Sequence, residues 1–322
     1  MPQLPDLVLP RPMLPHTVAT LERFFTAHRL WEAADAGAVL ARLAPSCRFA
    51  AMGSHAVGDA AFMDRLPKLE IIANFGVGYD TIDAGEAARR GILVTNTPDV
   101  LNEEVADTAL ALLLATVKEL PQADRYLRAG QWPQAPYRLT PATLRGRKLG
   151  IAGLGRIGKA IARRAEAFGL PIAYWGRKPQ EDVPYAYHAS LKGLAQAVDT
   201  LLLILPGGAE TRSIVDAQVL EALGPDGILI NVARGSVVDE AALIEALRGG
   251  TILAAGLDVF ADEPHVPQAL IELPNVVLLP HVGSATEHTR RAMGQLVVDN
   301  LVSWLEGNGP VTPVAETPWP RT

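Results

Sequence analysis

Short, continuously apolar runs alternate with longer segments of helical period along this chain. Residues 7–9, 70–74, 92–96, 148–152, 171–174, 200–205, 228–232 and 276–280 predict strands. Residues 18–26, 60–65, 82–90, 103–118, 157–167, 240–249 and 289–306 predict helices. The strand segments do not alternate apolar with polar, so both of their faces are expected to be covered. That pattern belongs to parallel sheets flanked by helices on both sides, and it predicts an α/β fold of the doubly wound kind.

Composition adds bounds to this picture. A chain of 322 residues suggests about two domains at roughly 150 residues each. With 49% hydrophobic and 20% charged residues it has ample material for buried cores. The formal net charge of -6 argues against nucleic acid or an anionic membrane as partner, since both require a basic surface. Cys47 is the one cysteine, so no intrachain disulfide can form and a buried thiol in a reducing compartment is expected. The proline-scattered start, MPQLPDLVLPRPMLP, does not read as a secretory signal. The apolar stretch 106–117 is too short to span a bilayer, which takes about 20 residues, and a cytoplasmic location is expected. No metal-ligand clustering is visible, and no metal is expected. The proline-rich loop 130–147 and the tail from Gly307 read as irregular.

The strongest local motif is Gly153-Leu154-Gly155-Arg156-Ile157-Gly158, set between a predicted strand and an amphipathic helix. Gly153 allows a tight turn, Gly155 lets the backbone approach a pyrophosphate, and Gly158 permits close helix–strand packing. The amides of Arg156 and Ile157 are expected to face the phosphate at the helix N-terminus. About 20 residues beyond such a turn, NAD-binding folds place an acidic residue on the ribose 2′-hydroxyl. Here Trp175 and Gly176 stand at that place, followed by Arg177 and Lys178. The missing carboxylate removes repulsion against a 2′-phosphate and Arg177 offers it a planar fork, so NADPH is favoured over NADH. Without a ligand, both cations would be ordinary solvated loop charges.

Reducing a carbonyl beside a carboxylate takes a hydride donor, a proton donor and an anchoring cation. Histidine suits the proton step and arginine the anchor. Arg234 follows the apolar run 228–232, Asp258 and Glu263 lie in AGLDVFADEP, and His281 follows the run 276–280. Each alone has an ordinary explanation: Arg234 as a capping or interdomain charge, Glu263 as a turn carboxylate, His281 as a loop histidine. Their joint placement after strands, downstream of a dinucleotide turn, points to catalysis, because ligands of doubly wound sheets bind beyond the carboxyl ends of the strands. His16, His28, His55, His188, His265 and His288 lack this setting and read as loop or surface residues.

The motifs GLGRIG, NVARGSVVDE, GLDVFADEP and LLPHVGSAT, in this order, together with NFGVGYD, TNTPDVLNEEVA and the GPVTPV tail, resemble the D-isomer-specific 2-hydroxyacid dehydrogenase family over nearly the whole chain. The resemblance implies Arg234 as substrate-binding arginine, His281 as general acid and Glu263 as its paired carboxylate. It implies Asp258 as a contact to the nicotinamide carboxamide, Pro206 beside the adenine, and the Val77-Gly78 backbone as a cradle for the substrate carboxylate. It further implies a Rossmann coenzyme domain (103–292) and a flavodoxin-like substrate domain (1–102 with 293–322), with a cleft between them. A homodimer through the coenzyme domain is expected. Within the family the chain is most similar to the NADPH-dependent glyoxylate/hydroxypyruvate reductases. Met52, Gly53 and Phe75 are expected on the substrate side, or as plain packing residues. Trp132 either reaches a partner subunit's active site or packs a dimer arm. Two other readings stay open at this point: an NAD-dependent dehydrogenase for a bulkier hydroxy acid, and a nucleotide-sensing binding module.

Overall fold

The structure, a computed structural model, describes residues 4–53 and 55–320. The chain divides into two compact units, one built from the segment up to Leu101 together with that from Thr286 onward, the other from Asn102–Ala285. In chain order the first contains β1 (Asp6–Leu9), α1 (Pro15–Leu21), β2 (Thr26–Arg29), α2 (Ala36–Leu43), β3 (Phe49–Met52), α3 (Ala60–Asp64), β4 (Ile71–Asn74), α4 (Ala84–Arg90) and β5 (Leu93–Thr95). Among the described residues its sheet has five parallel strands in the order β2-β1-β3-β4-β5. That is the flavodoxin-like winding. Every residue of β3 and β4 is buried, as strands covered on both faces must be. Asp35, Asp59 and Asp83 start α2, α3 and α4 by accepting a backbone N–H at the open helix end.

The second unit contains α5 (Asn102–Val117), α6 (Leu120–Arg128), β6 (Leu149–Ala152), α7 (Arg156–Ala167), β7 (Ile172–Trp175), β8 (Ala186–His188), α8 (Leu191–Ala197), β9 (Thr200–Leu203), α9 (Ala217–Leu223), β10 (Ile228–Asn231), α10 (Glu240–Arg248), β11 (Ala254–Leu257), α11 (Gln268–Ile271) and β12 (Val276–Leu278). Its seven parallel strands run β12-β11-β10-β9-β6-β7-β8. This is the Rossmann order with one strand added at an edge. The chain then returns to the first unit as α12 (Glu287–Leu305), which packs on α1 and β4. The two helices come close at Gly294, where a Cβ would lie 2.0 Å from the Thr17 hydroxyl. The two parallel sheets and their helices confirm the doubly wound α/β class.

Local differences from the expected elements have physical causes. The helix expected at 18–26 spans Pro15–Leu21 instead, and Thr26 already opens β2. The edge strands β2 and β8 carry polar, partly exposed residues that no apolar run marks. In β11, Ala-Ala-Gly-Leu lacks bulk because α5 lies against it: a Cβ on Gly256 would meet the Thr116 hydroxyl at 2.5 Å. Alanines likewise hide β3. Helices α2, α6, α8, α9 and α11 are short, and the pattern does not predict them.

Candidate active site

In the second sheet β6 lies between β7 and β9, so the chain winds outward in both directions from this strand. Ligands of such sheets bind at that reversal, beyond the carboxyl ends of the strands. The glycine turn follows β6 there. Gly153 has φ +102°, and a Cβ on it would lie 2.5 Å from the Ile204 carbonyl. A Cβ on Gly158 would lie 2.2 Å from the carbonyl of Gly153, so α7 is held against the turn. Gly155 differs, since a Cβ there would meet nothing within 4 Å. Nothing in the protein requires that glycine, and its small size serves whatever approaches from outside. Whereas α8, α9 and α10 are capped by Ser190, Asp216 and Asp239, α7 begins at Gly155 with no side-chain cap. An uncapped helix start behind an unobstructed glycine fits a pyrophosphate.

The end of β7 supplies cations. Arg177 and Lys178 are exposed directly after Trp175 and Gly176. Pro206 is exposed just past β9, and its carbonyl accepts the Thr211 hydroxyl at 2.8 Å.

Strands β10, β11 and β12 bring the chemical groups to the same edge. Arg234 follows β10 and is half-buried. The buried Asn231 sets its position: its side-chain oxygen accepts the Ala233 N–H at 3.0 Å and its amide donates to the Arg234 carbonyl at 3.0 Å. Gly235 then packs directly on the backbone of Phe260 and Ala261, too close for any Cβ. Beyond β12, His281 Nδ1 donates to Glu263 Oε2 at 2.6 Å, and Glu263 Oε1 accepts the Phe260 N–H at 3.0 Å. The imidazole is 42% exposed and the carboxylate side chain only 14%, so the pair shows its histidine to solvent and hides its anion.

Asp258 is buried and clamps the loop that carries His281. Its two carboxylate oxygens accept the Val282 N–H at 2.7 Å and the Gly283 N–H at 2.8 Å, and its carbonyl accepts the His281 N–H at 2.9 Å. Burial pushes its carboxyl above the usual range, against the pull of those two amides. His281 itself sits at φ +53°, a left-handed conformation that costs a non-glycine residue energy and persists where surroundings enforce it.

In the first unit, the loop after β4 has its carbonyls tied back. Asn74 donates to the carbonyls of Gly76 (3.1 Å) and Gly78 (3.0 Å), and Asn96 donates to that of Val77 (2.8 Å). Across a planar trans peptide the N–H points opposite to the C=O, so the amides of Val77, Gly78 and Tyr79 are turned the other way. Met52 is fully buried in the core, Gly53 packs on the Pro12 carbonyl, and Phe75 lies under the Arg290 guanidinium at 5.7 Å. Trp132 is 65% exposed in the loop after α6. Asn74, Asn96 and Asn231 escaped the sequence reading. The signal was present: an asparagine closing or following a wholly apolar strand is a buried polar group that must find partners.

A dehydrogenase that moves hydride from a dinucleotide is the class of protein this arrangement fits, because a glycine turn and a histidine–carboxylate pair share one sheet edge. Comparison with known proteins makes the class specific. The D-isomer specific 2-hydroxyacid dehydrogenase NAD binding domain matches residues 110–283. Glyoxylate/hydroxypyruvate reductase A from Arabidopsis thaliana is 48% identical over 303 residues, 94% of this chain and 96% of that protein. Hydroxyphenylpyruvate reductase from Plectranthus scutellarioides is 44% identical over 303 residues, again 94% of this chain and 96% of that one. Among solved structures, the NADPH-dependent glyoxylate/hydroxypyruvate reductase of Sinorhizobium meliloti, in complex with NADP and malonate, superposes with a TM-score of 0.93 at 54% identity, covering 99% of both chains. The chain belongs to the D-isomer specific 2-hydroxyacid dehydrogenases.

Proposed function

We propose that the chain reduces a small 2-keto acid, glyoxylate or hydroxypyruvate, to the D-2-hydroxy acid with NADPH as coenzyme. The observation that carries this is the 2.6 Å His281–Glu263 pair beyond the strand ends of a sheet whose central strand opens into the glycine turn. The names of the Arabidopsis and Sinorhizobium relatives support the substrate and coenzyme.

When bound, NADPH supplies the hydride. Gly153, Gly155, Arg156, Ile157 and Gly158 would hold its pyrophosphate, Arg177 and Lys178 its 2′-phosphate, Pro206 its adenine side and Asp258 its carboxamide. Arg234 binds the substrate carboxylate through its fork. In the other unit, the Val77 and Gly78 amides are the candidate substrate contacts. His281 passes a proton from Nε2 to the carbonyl oxygen. Glu263 aims the ring, since Nδ1 donates to a mostly buried carboxylate. In this reading the unit from Asn102 binds coenzyme and the other unit serves the substrate.

We also propose a cytoplasmic homodimer. Exposed Leu120 and Leu127 on α6, with Trp132 and Leu139 after it, give an apolar surface that a second copy would cover. Trp132 belongs to that arm. Among the described residues, no helix is long and apolar enough to cross a membrane, and no group of three or more His, Cys, Asp or Glu could hold a metal ion.

The test is oxidation of NADPH and NADH by purified protein with glyoxylate, hydroxypyruvate and hydroxyphenylpyruvate. Fast turnover of NADPH with the small acids supports the proposal. Preference for NADH makes Arg177 a surface charge, and preference for the aromatic acid moves the assignment toward the Plectranthus relative. Absence of turnover with every pair favours a nucleotide-sensing module. His281→Ala should remove most turnover and leave NADPH binding intact, and Arg234→Ala should raise KM strongly. An unchanged KM there rejects the anchor role.

A further inference from the structure

We infer that Gln180 is a positioning residue for coenzyme selectivity, tying the segment that bears Arg177 and Lys178 to the glycine turn. This rests on the reading of those cations as the 2′-phosphate site. The Gln180 side-chain amide donates to the Leu154 carbonyl at 2.8 Å, and Leu154 lies between Gly153 and Gly155. The Gln180 backbone N–H donates to the Tyr174 hydroxyl at 2.6 Å, and Tyr174 is buried in β7. At the near end of the segment, the Tyr187 hydroxyl donates to the Gly176 carbonyl at 3.4 Å. The rings of Tyr174 and Tyr187 pack together at a tilt of 57°, 5.4 Å between centroids, so each anchor braces the other.

Residues 177–179 are all exposed. Their position is set by where the segment is tied. A dinucleotide with a 2′-phosphate touches the glycine turn and the end of β7 at once, through groups at a fixed covalent separation. A side chain bridging those two places holds the cations at that separation before the ligand arrives, which lowers the ordering cost of binding. The turn does not depend on the same bridge. Gly153 N–H donates to the Trp175 carbonyl at 2.9 Å and Ile204 N–H to the Ala152 carbonyl at 3.0 Å. Losing the Gln180 amide therefore loosens the cations and leaves the pyrophosphate cradle in place. A ligand without a 2′-phosphate should not notice. The Lys159–Asp182 pair, 2.5 Å apart, lies just beyond; as an exposed ion pair it holds the segment weakly.

The variants are Gln180→Met, which keeps the length and removes the amide, and Gln180→Glu, which cannot donate to a carbonyl. Arg177→Ala is the comparison. Calorimetric binding of 2′,5′-ADP and of 5′-AMP is measured on the full chain, with KM for NADPH and NADH alongside. Both Gln180 variants should weaken 2′,5′-ADP roughly five- to tenfold, the scale of one hydrogen bond, and leave 5′-AMP within about twofold. KM for NADPH should follow 2′,5′-ADP, with kcat and the melting temperature unchanged. Gln180→Met added to the double variant Arg177→Ala, Lys178→Ala should bind 2′,5′-ADP no more weakly than that double variant alone, since the tie matters only through the cations it places. Wild-type affinity for 2′,5′-ADP in Gln180→Met, with Arg177→Ala impaired, overturns the role of Gln180 alone. Equal weakening of both probes overturns it too, as general damage to the turn. Wild-type affinity in Arg177→Ala removes the 2′-phosphate reading on which it rests.

Discussion

Glu263→Gln separates the two jobs of this carboxylate, because the variant keeps its shape. Glu263 now accepts at both oxygens, from His281 Nδ1 at 2.6 Å and from the Phe260 N–H at 3.0 Å. A glutamine has one oxygen and one NH2. Whichever way its amide faces, one donor meets another donor. If the NH2 faces Phe260, a backbone N–H loses its acceptor. If it faces His281, the ring must turn Nδ1 into an acceptor, and the doubly protonated ring that donates from Nε2 is opposed. A hydrogen bond to a charged group contributes about 1.5–3 kcal/mol, and the carboxylate is only 14% exposed, so solvent screens it little. At about 1.36 kcal/mol per decade, kcat/KM for the keto acid should fall roughly 10- to 150-fold. The assay is steady-state reduction of glyoxylate under saturating NADPH, with NADPH affinity measured separately by fluorescence. Affinity should stay within about twofold of wild type. If kcat/KM also stays within twofold, Glu263 does not support the proton step, and the mechanism given for His281 is wrong.

Gly155→Ala and Gly158→Ala form a contrasting pair. Calorimetry should show Gly155→Ala melting like wild type while binding dinucleotide at least tenfold more weakly, since its Cβ meets only ligand space. Gly158→Ala should lose several degrees of melting temperature, because a Cβ 2.2 Å from a carbonyl forces overpacking worth about 1–3 kcal/mol. Asp258→Asn should cut kcat at least about tenfold by releasing one amide of the His281 loop, a misplacement effect, with little change in melting at neutral pH. Folding raises the Asp258 pKa, so its contribution is greatest below the usual value near 4 and declines as pH rises through the folded value. Wild-type stability relative to Asp258→Asn should therefore fall as pH rises above the usual carboxylate value, and a rise would refute the assignment. Burial pushes the Cys47 thiol up to about 11. Stability should thus drop between pH 9 and 11 by up to roughly 2.7 kcal/mol, an effect that Cys47→Ala removes. Thiolate absorbance appearing near pH 9 in the native protein would contradict it.

Much of this site was legible in the chain because chemistry leaves residue types that packing alone does not require. A glycine turn after an apolar strand, and a cation or histidine directly after another, mark sheet edges even when the elements between them are misjudged. What the residues do not mark is of three kinds. Edge strands such as Thr26–Arg29 bury little, so selection on hydrophobicity leaves no mark. The small-residue strand Ala254–Leu257 owes its composition to a helix far away in sequence, and only the third dimension reveals it. The asparagines that aim Arg234 and the Val77 loop close or follow strands, a position that marks a buried polar group but not which backbone groups it holds.

The bare start of α7 reaches beyond binding. In the proposed reading an anion from the coenzyme completes that helix, so the native fold and its ligand are thermodynamically linked. At a coenzyme concentration a hundred times its dissociation constant, linkage adds about 2.7 kcal/mol to the folded state. Unfolded molecules, the ones proteases remove, then become roughly a hundred times rarer. The cellular lifetime of this enzyme would rise and fall with the supply of its coenzyme, in either redox form, with no regulatory protein involved.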